Sequence, residues 1–167
     1  MNILTISGSA SEDSVNSQFL QQLSTVATEH NFSHCNQLQK FPLFTPQHKT
    51  PLPNNVLSFK ENVTKCDAVV ISTPEYLSNI PAALKNALEW LSSSGEMNEK
   101  KIIAITYTPH APRGEKAMQS LLNTLNALNS RVIGEVSLYQ RELKINHQGK
   151  LEGGASIDML KAMFDLL

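Results

Sequence analysis

Five apolar runs of strand length alternate with helix-patterned segments along this chain, and that alternation constrains the fold more than any other feature. The runs are NILTIS (2–7), a weaker one from Ser33 to Leu38, CDAVVIST (66–73), KIIAITYT (101–108) and RVIGEVSLY (131–139). Between and after them lie helical patterns over Ser14 to His30, Val56 to Lys65, Pro81 to Ser93, Gly114 to Asn129 and Ala155 to Leu166. Apolar residues fall at three- and four-residue spacings there, as in Phe19, Leu20, Leu23, Val26 and Ala27, or Leu84, Ala87, Leu88 and Leu91. Strands that read apolar throughout are buried on both faces, so the helices must cover a parallel sheet from two sides. We expect one α/β domain over residues 1–167, a doubly wound five-stranded parallel sheet of order 2-1-3-4-5 with helices on both faces. A chain of 167 residues can bury such a core without staples.

That strand order is the flavodoxin-like one, and it puts a ligand site at the carboxyl ends of the strands, beside the switch point between strands one and three. Three loops should therefore converge, those after strands one, three and four. The first runs from Ser7 to Asn16 and leads into a helix N-terminus, where freed amides and the helix dipole favour an anion. Ser9, Ser11 and Ser14 add hydroxyl donors without bulk. The loop is neither GxGxxG nor a GKS/GKT phosphate loop, which argues against a dinucleotide-binding Rossmann unit and an ATPase. Taken alone, it also reads as a serine-rich turn with Ser14 as a helix cap.

The second loop opens TPEYLSNIPAALKNALEW, where Pro74 and Pro81 bracket Glu75 and Tyr76 and stiffen the backbone between a buried strand and a helix. Rigid backbone donors and acceptors suit the edge of a flat heteroaromatic ring, and Tyr76 offers a ring face or a hydroxyl. Glu75 lacks the His/Asp company that hydrolytic chemistry needs. Lys85 and Asn86 are expected to face solvent or a partner subunit, and Trp90 to serve packing. Between strand two and helix two, FPLFTPQHKTPLPNN carries four prolines and is expected as a long ordered loop.

Composition excludes several classes. Fourteen basic and fifteen acidic residues leave a formal charge of -1, without the basic footprint of a nucleic-acid binder. No apolar run is long enough to span a membrane, and the N-terminus has no charged leader, so a cytoplasmic location is expected. Cys35 and Cys66 have no CxxC or metal-ligand spacing and read as buried thiols.

On these motifs the chain resembles the NADPH-dependent FMN reductases, a flavodoxin-like family that includes chromate, quinone and azo-dye reductases. Gly8, Ser9, Ser14 and Asn16 match the family's first loop, GSxRxxSxN. Pro74, Glu75, Tyr76, Pro81, Leu84, Lys85, Asn86, Ala87 and Trp90 match PEYNxSxPxxLKNAxDW, and Phe41 to Phe44 matches its Pro-Leu-aromatic stretch. The resemblance implies FMN held non-covalently, its phosphate by Ser9, Ser14 and Asn16 with the loop amides and its ring edge by the backbone of Pro74, Glu75, Tyr76 and Leu77, with Ser11 and Val15 of the first loop also expected at the cofactor. The third loop would add Thr106, Tyr107, Thr108, His110 and Arg113. The implied activity is electron transfer from NADPH or NADH through FMN to a small-molecule acceptor such as a quinone or free flavin. A homodimer or homotetramer is implied as well.

Three departures stand out. Ser11 replaces an arginine, with Glu12 and Asp13 beside it; Leu77 replaces an asparagine; and prolines and His110 replace glycines in the third loop. Arg113 is expected to restore the missing positive charge. These departures leave a second reading open, a flavodoxin-like binding or regulatory module with weakened FMN binding. A flavodoxin-type electron carrier would be strongly acidic, unlike this chain.

Overall fold

The structure, a computed structural model, describes residues 1–11, 13–47 and 51–167. Glu12, expected among the acids of the first loop, and residues 48–50 of the proline-rich loop lie outside the described residues. The chain runs β1 (Asn2–Ser7), α1 (Val15–Gln22), β2 (Asn31–Cys35), α2 (Asn54–Lys65), β3 (Ala68–Thr73) and α3 (Ala82–Glu89). It continues with β4 (Lys101–Thr108), α4 (Glu115–Ala127), β5 (Arg131–Tyr139), a hairpin of β6 (Lys144–Ile145) and β7 (Leu151–Glu152), and α5 (Gly154–Phe164). The five long strands form one parallel sheet of order β2-β1-β3-β4-β5, as expected from the alternation. Among the described residues no helix is long and apolar enough to cross a membrane.

Both sheet faces are covered, so alternate residues of each central strand enter two separate cores. One holds Leu4, Ile6, Val69, Ile71, Leu84 and Leu88, under α2, α3 and α4. The other holds Ile3, Phe19, Val70, Ile103, Tyr107 and Phe164, under α1 and α5. Burying each large aliphatic side chain stabilises by about 1.5–3 kcal/mol, and it is this term that fixes the register of β1, β3 and β4.

Local chemistry moved several boundaries. The helix expected over residues 14–30 ends at Gln22 and tightens into a short 3-10 turn, Leu23–Thr25. The hydroxyls of Ser24 and Thr25 donate back to the carbonyls of Gln21 and Gln22, which competes with continuation of the helix. The apolar spacing survives the change, and Phe19, Leu20, Leu23 and Ala27 are buried. Edge strand β2 ends at Cys35 rather than near Leu38, which is buried in a 3-10 turn of its own. The β6–β7 hairpin, in a stretch expected only to be polar, was not anticipated.

Asn86 corrects a second expectation. It does not face solvent or a partner: it is buried, accepts from the Phe44 amide at 2.8 Å and donates to the Pro42 carbonyl at 3.0 Å. The Phe41–Phe44 segment folds back over α3, and its backbone groups need partners there. Trp90 joins the same contact, its Nε1 donating to the Pro42 carbonyl at 2.9 Å and its ring meeting Phe44 edge-on. Lys85 is exposed as expected and pairs with Glu89.

Candidate functional site

The loops after β1, β3 and β4 converge at the carboxyl ends of the strands around one open cleft of ≈ 290 Å³. Its walls are built from Ser9, Ser11, Asp13, Ser14, Val15 and Asn16 on the first loop, Pro74, Glu75 and Tyr76 on the second, and Tyr107, Thr108, Pro109 and Arg113 on the third, with Gln140 closing one side. Eleven of these positions were expected from the sequence; Asp13, Pro109 and Gln140 were not used as site residues. Gln140 follows β5, and only the fold brings the end of that strand to the cleft, its amide donating to the Thr108 carbonyl.

The first loop is held closely. Gly8 donates its amide to the Ser72 carbonyl, and a Cβ at Gly8 would stand 2.7 Å from Thr73 Oγ1 and 2.9 Å from Leu84 Cδ2. Only glycine lets β1 turn this close to β3. Ser14 caps α1, accepting from the Ser17 amide, while Ser9 Oγ accepts from the Ser11 amide. The cap leaves the first helical amides, those of Val15 and Asn16, without an intrahelical acceptor at the positive end of the helix dipole. Asn16 is buried and braces two strands: Nδ2 donates to the Tyr107 carbonyl and Oδ1 accepts from Ser72 Oγ at 2.6 Å. Its side chain therefore positions the loop.

Glu75 has a role that the sequence did not disclose. Its Oε2 accepts from the amides of Gly114, Lys116 and Ala117, each at 3.1 Å. A carboxylate from the second loop thus caps α4, stabilised by the helix dipole and by three charge-assisted bonds. This ties the second and third walls of the cleft together and commits Oε2 of Glu75 to the helix cap. Gly114, at φ 107, begins the helix where a Cβ would stand 2.7 Å from Thr106 Oγ1.

Beyond Tyr76 the chain makes a two-residue reversal, with Tyr76 and Asn79 exchanging backbone bonds while Leu77 (φ 50) and Ser78 (φ 60) adopt left-handed conformations. Leu77 stands fully exposed at the tip and does not line the cleft. Thr106 is buried and donates to Ser137 Oγ, also outside the lining. His110 is half-buried, donates from Nδ1 to the Ala111 carbonyl and is likewise outside it. Tyr107 lines the cleft, but its hydroxyl points away and donates to the Leu143 carbonyl at 2.7 Å. Burial pushes its phenol up, which keeps that proton in place.

Arg113 is exposed at the cleft, and among the described residues its guanidinium has no hydrogen-bond or ion-pair partner. Its own carbonyl accepts from Thr108 Oγ1, which fixes the backbone beneath it. One wall thus carries serine hydroxyls and helix-terminal amides with Asp13, and Arg113 supplies a balancing charge. Among the described residues no cluster of three or more metal-ligating side chains occurs.

The chain is similar to several known proteins. It is 31% identical over 125 residues, 75% of its length, to a subunit of an NADH:(hydroxy)cinnamate reductase from Vibrio ruber. It is 30% identical over 92 residues, 55% of its length, to a 2-hydroxy-1,4-benzoquinone reductase from a Burkholderia species. The chain spans 62% of the length of the first of these relatives and 50% of the second. In structure it is similar to a flavoenzyme NAD(P)H:(acceptor) oxidoreductase from Paracoccus denitrificans, at TM-score 0.80 and 21% identity over 98% of this chain and 93% of that one. An NADH:FMN oxidoreductase in its apo form matches at TM-score 0.75 and 16% identity, over 99% of this chain and 87% of that one. These two likenesses show the fold. The family model described as NADPH-dependent FMN reductase matches residues 1–142, which takes in all three cleft loops. The chain belongs to the NADPH-dependent FMN reductase family.

Proposed function

We propose that the cleft binds FMN without a covalent link and that the chain is an NAD(P)H-dependent oxidoreductase reducing a small organic acceptor such as a quinone or free flavin. The observation that carries this reading is the convergence of an anion-binding loop, a stiff backbone edge and Arg113 on one cleft at the switch point of the sheet. The donor chemistry fits the group. Hydroxyls of Ser9, Ser11 and Ser14 with the amides of Val15 and Asn16 suit the phosphate, and Arg113 offsets Asp13. The backbone of Pro74, Glu75 and Tyr76 suits the edge of the ring, with Thr108 and the Tyr107 backbone opposite. Relatives named as quinone and hydroxycinnamate reductases support an organic acceptor.

Bound FMN supplies hydride and electron transfer, which no side chain here can perform. The residues of the chain do the rest. Asn16 and Glu75 hold the three loops in register, Asn16 by bonds to β3 and β4 and Glu75 by its bonds to the start of α4. Tyr76, half-exposed at the rim, offers an apolar face to a planar acceptor. The two free cysteines suit a reducing compartment, and we place the protein in the cytoplasm. Exposed Leu43, Tyr76 and Leu77 support a homodimer or homotetramer.

The test is titration of the apo-protein with FMN, followed by flavin fluorescence, with turnover of NADPH and NADH measured against a benzoquinone. Saturable binding and quinone-dependent oxidation of either dinucleotide support the reading. A protein that neither binds FMN nor oxidises the dinucleotide would instead be a binding module of the same fold.

A further inference from the structure

A second hollow of ≈ 270 Å³ adjoins the cleft, lined by Val15, Gln18, Tyr107, Gln140, Lys144 and Ile145. It shares Val15, Tyr107 and Gln140 with the cleft, so the two hollows lie side by side across these residues. Its far wall is the β6–β7 hairpin, which lies beyond the residues matched by the family model.

The base of this hairpin is fixed. The buried Tyr107 hydroxyl donates to the Leu143 carbonyl, Leu143 is fully buried, and its amide donates to Tyr139. On the return, Gly153 passes so close that a Cβ would collide with the Glu142 carbonyl oxygen. Lys144 follows Leu143 directly and stands opposite Glu152 across the hairpin. The Glu152 carboxylate is taken by Asn146 Nδ2 at 2.7 Å instead. Among the described residues the Lys144 ammonium has no partner, whereas Lys60, Lys65 and Lys85 each pair with a glutamate. Gln18 and Gln140 add amide donors to the same groove.

We propose that this groove holds the phosphate-bearing part of the nicotinamide dinucleotide, with Lys144 contacting its phosphate oxygens. The inference rests on the reading that the cleft holds the flavin: with the nicotinamide over that ring, the pyrophosphate must leave the cleft. This groove shares residues with the cleft and carries an unpaired cation. The hollow between α3 and α4 also offers a cation without a partner among the described residues, Lys116, but it shares no residue with the cleft, and that adjacency is what favours the Lys144 groove.

The probe is ADP-ribose, which carries the pyrophosphate but cannot reduce a flavin, titrated calorimetrically into FMN-loaded and apo-protein. Lys144→Ala should weaken its binding about tenfold and Lys144→Glu further, the loss of one charge-assisted contact and then its reversal. The KM for the dinucleotide should rise in step with kcat unchanged, and FMN affinity and thermal midpoint should not move. Lys150→Glu, on the same hairpin but off the groove, controls for general charge and should leave ADP-ribose binding unchanged. Unaltered binding in Lys144→Glu, or an equal loss in Lys150→Glu, overturns the inference. Failure of the wild type to bind FMN would overturn the flavin reading alone, because ADP-ribose binding is read separately on the apo-protein.

Discussion

Leu77 occupies a conformation that its side chain disfavours. A left-handed leucine costs about 1–2 kcal/mol relative to its ordinary conformations, and full exposure means that no burial offsets this. Leu77→Asn should therefore raise stability by about 0.5–1 kcal/mol, because a short polar side chain tolerates that region, and thermal denaturation measures it. Arg113→Ala should lower FMN affinity about tenfold through the lost phosphate contact; an unchanged dissociation constant would remove Arg113 from the site. Burial pushes the Cys35 thiol up to about 11. Its thiolate is then about one part in a thousand at pH 8, so native-state alkylation should be slow and accelerate with pH up to that value. The sign follows for stability: the folded state disfavours the thiolate, so this contribution is lost as pH rises above the ordinary thiol range toward 11. Residue identity announced Gly8, Ser9, Ser14 and Asn16 through their spacing, but not what their atoms touch. Asn86 was misplaced because its partners, Pro42 and Phe44, come from a loop whose path no periodicity records.

Among the elements, the central strands were readable because residues buried on both faces leave uninterrupted apolar runs, while β2, paired on one side only, left a weaker run and a shifted boundary. Helix α1 was overestimated because an apolar stripe continues through the 3-10 turn that Ser24 and Thr25 impose. The capping of α4 by Glu75 joins segments 39 to 42 residues apart and leaves no local signature. Glu75→Ala should destabilise the protein by about 1–2 kcal/mol, as loss of a helix cap does. Since that carboxylate also fixes the cleft, FMN affinity should fall as well. Chemical denaturation measures the first effect and flavin titration the second; retained stability would mean that the three contacts are not formed in solution.

For the whole molecule, the strand order places the cleft and the hairpin groove at the same carboxyl-terminal end of the sheet, so adjoining surfaces would serve flavin, dinucleotide and acceptor. Light scattering should give twice or four times the chain mass, and Leu43→Asp or Leu77→Asp should shift it toward the monomer if those side chains are covered between copies. The central claim is that the cleft holds a redox-active flavin. Its most direct test is an anaerobic single turnover of the FMN-loaded protein, freed of unbound flavin and mixed with one equivalent of NADPH or NADH. Our account predicts one FMN retained per chain, bleaching of the visible flavin band by at least one of the two dinucleotides, and its return on adding a quinone. A protein that keeps no FMN, or whose bound flavin stays oxidised with both, would contradict it.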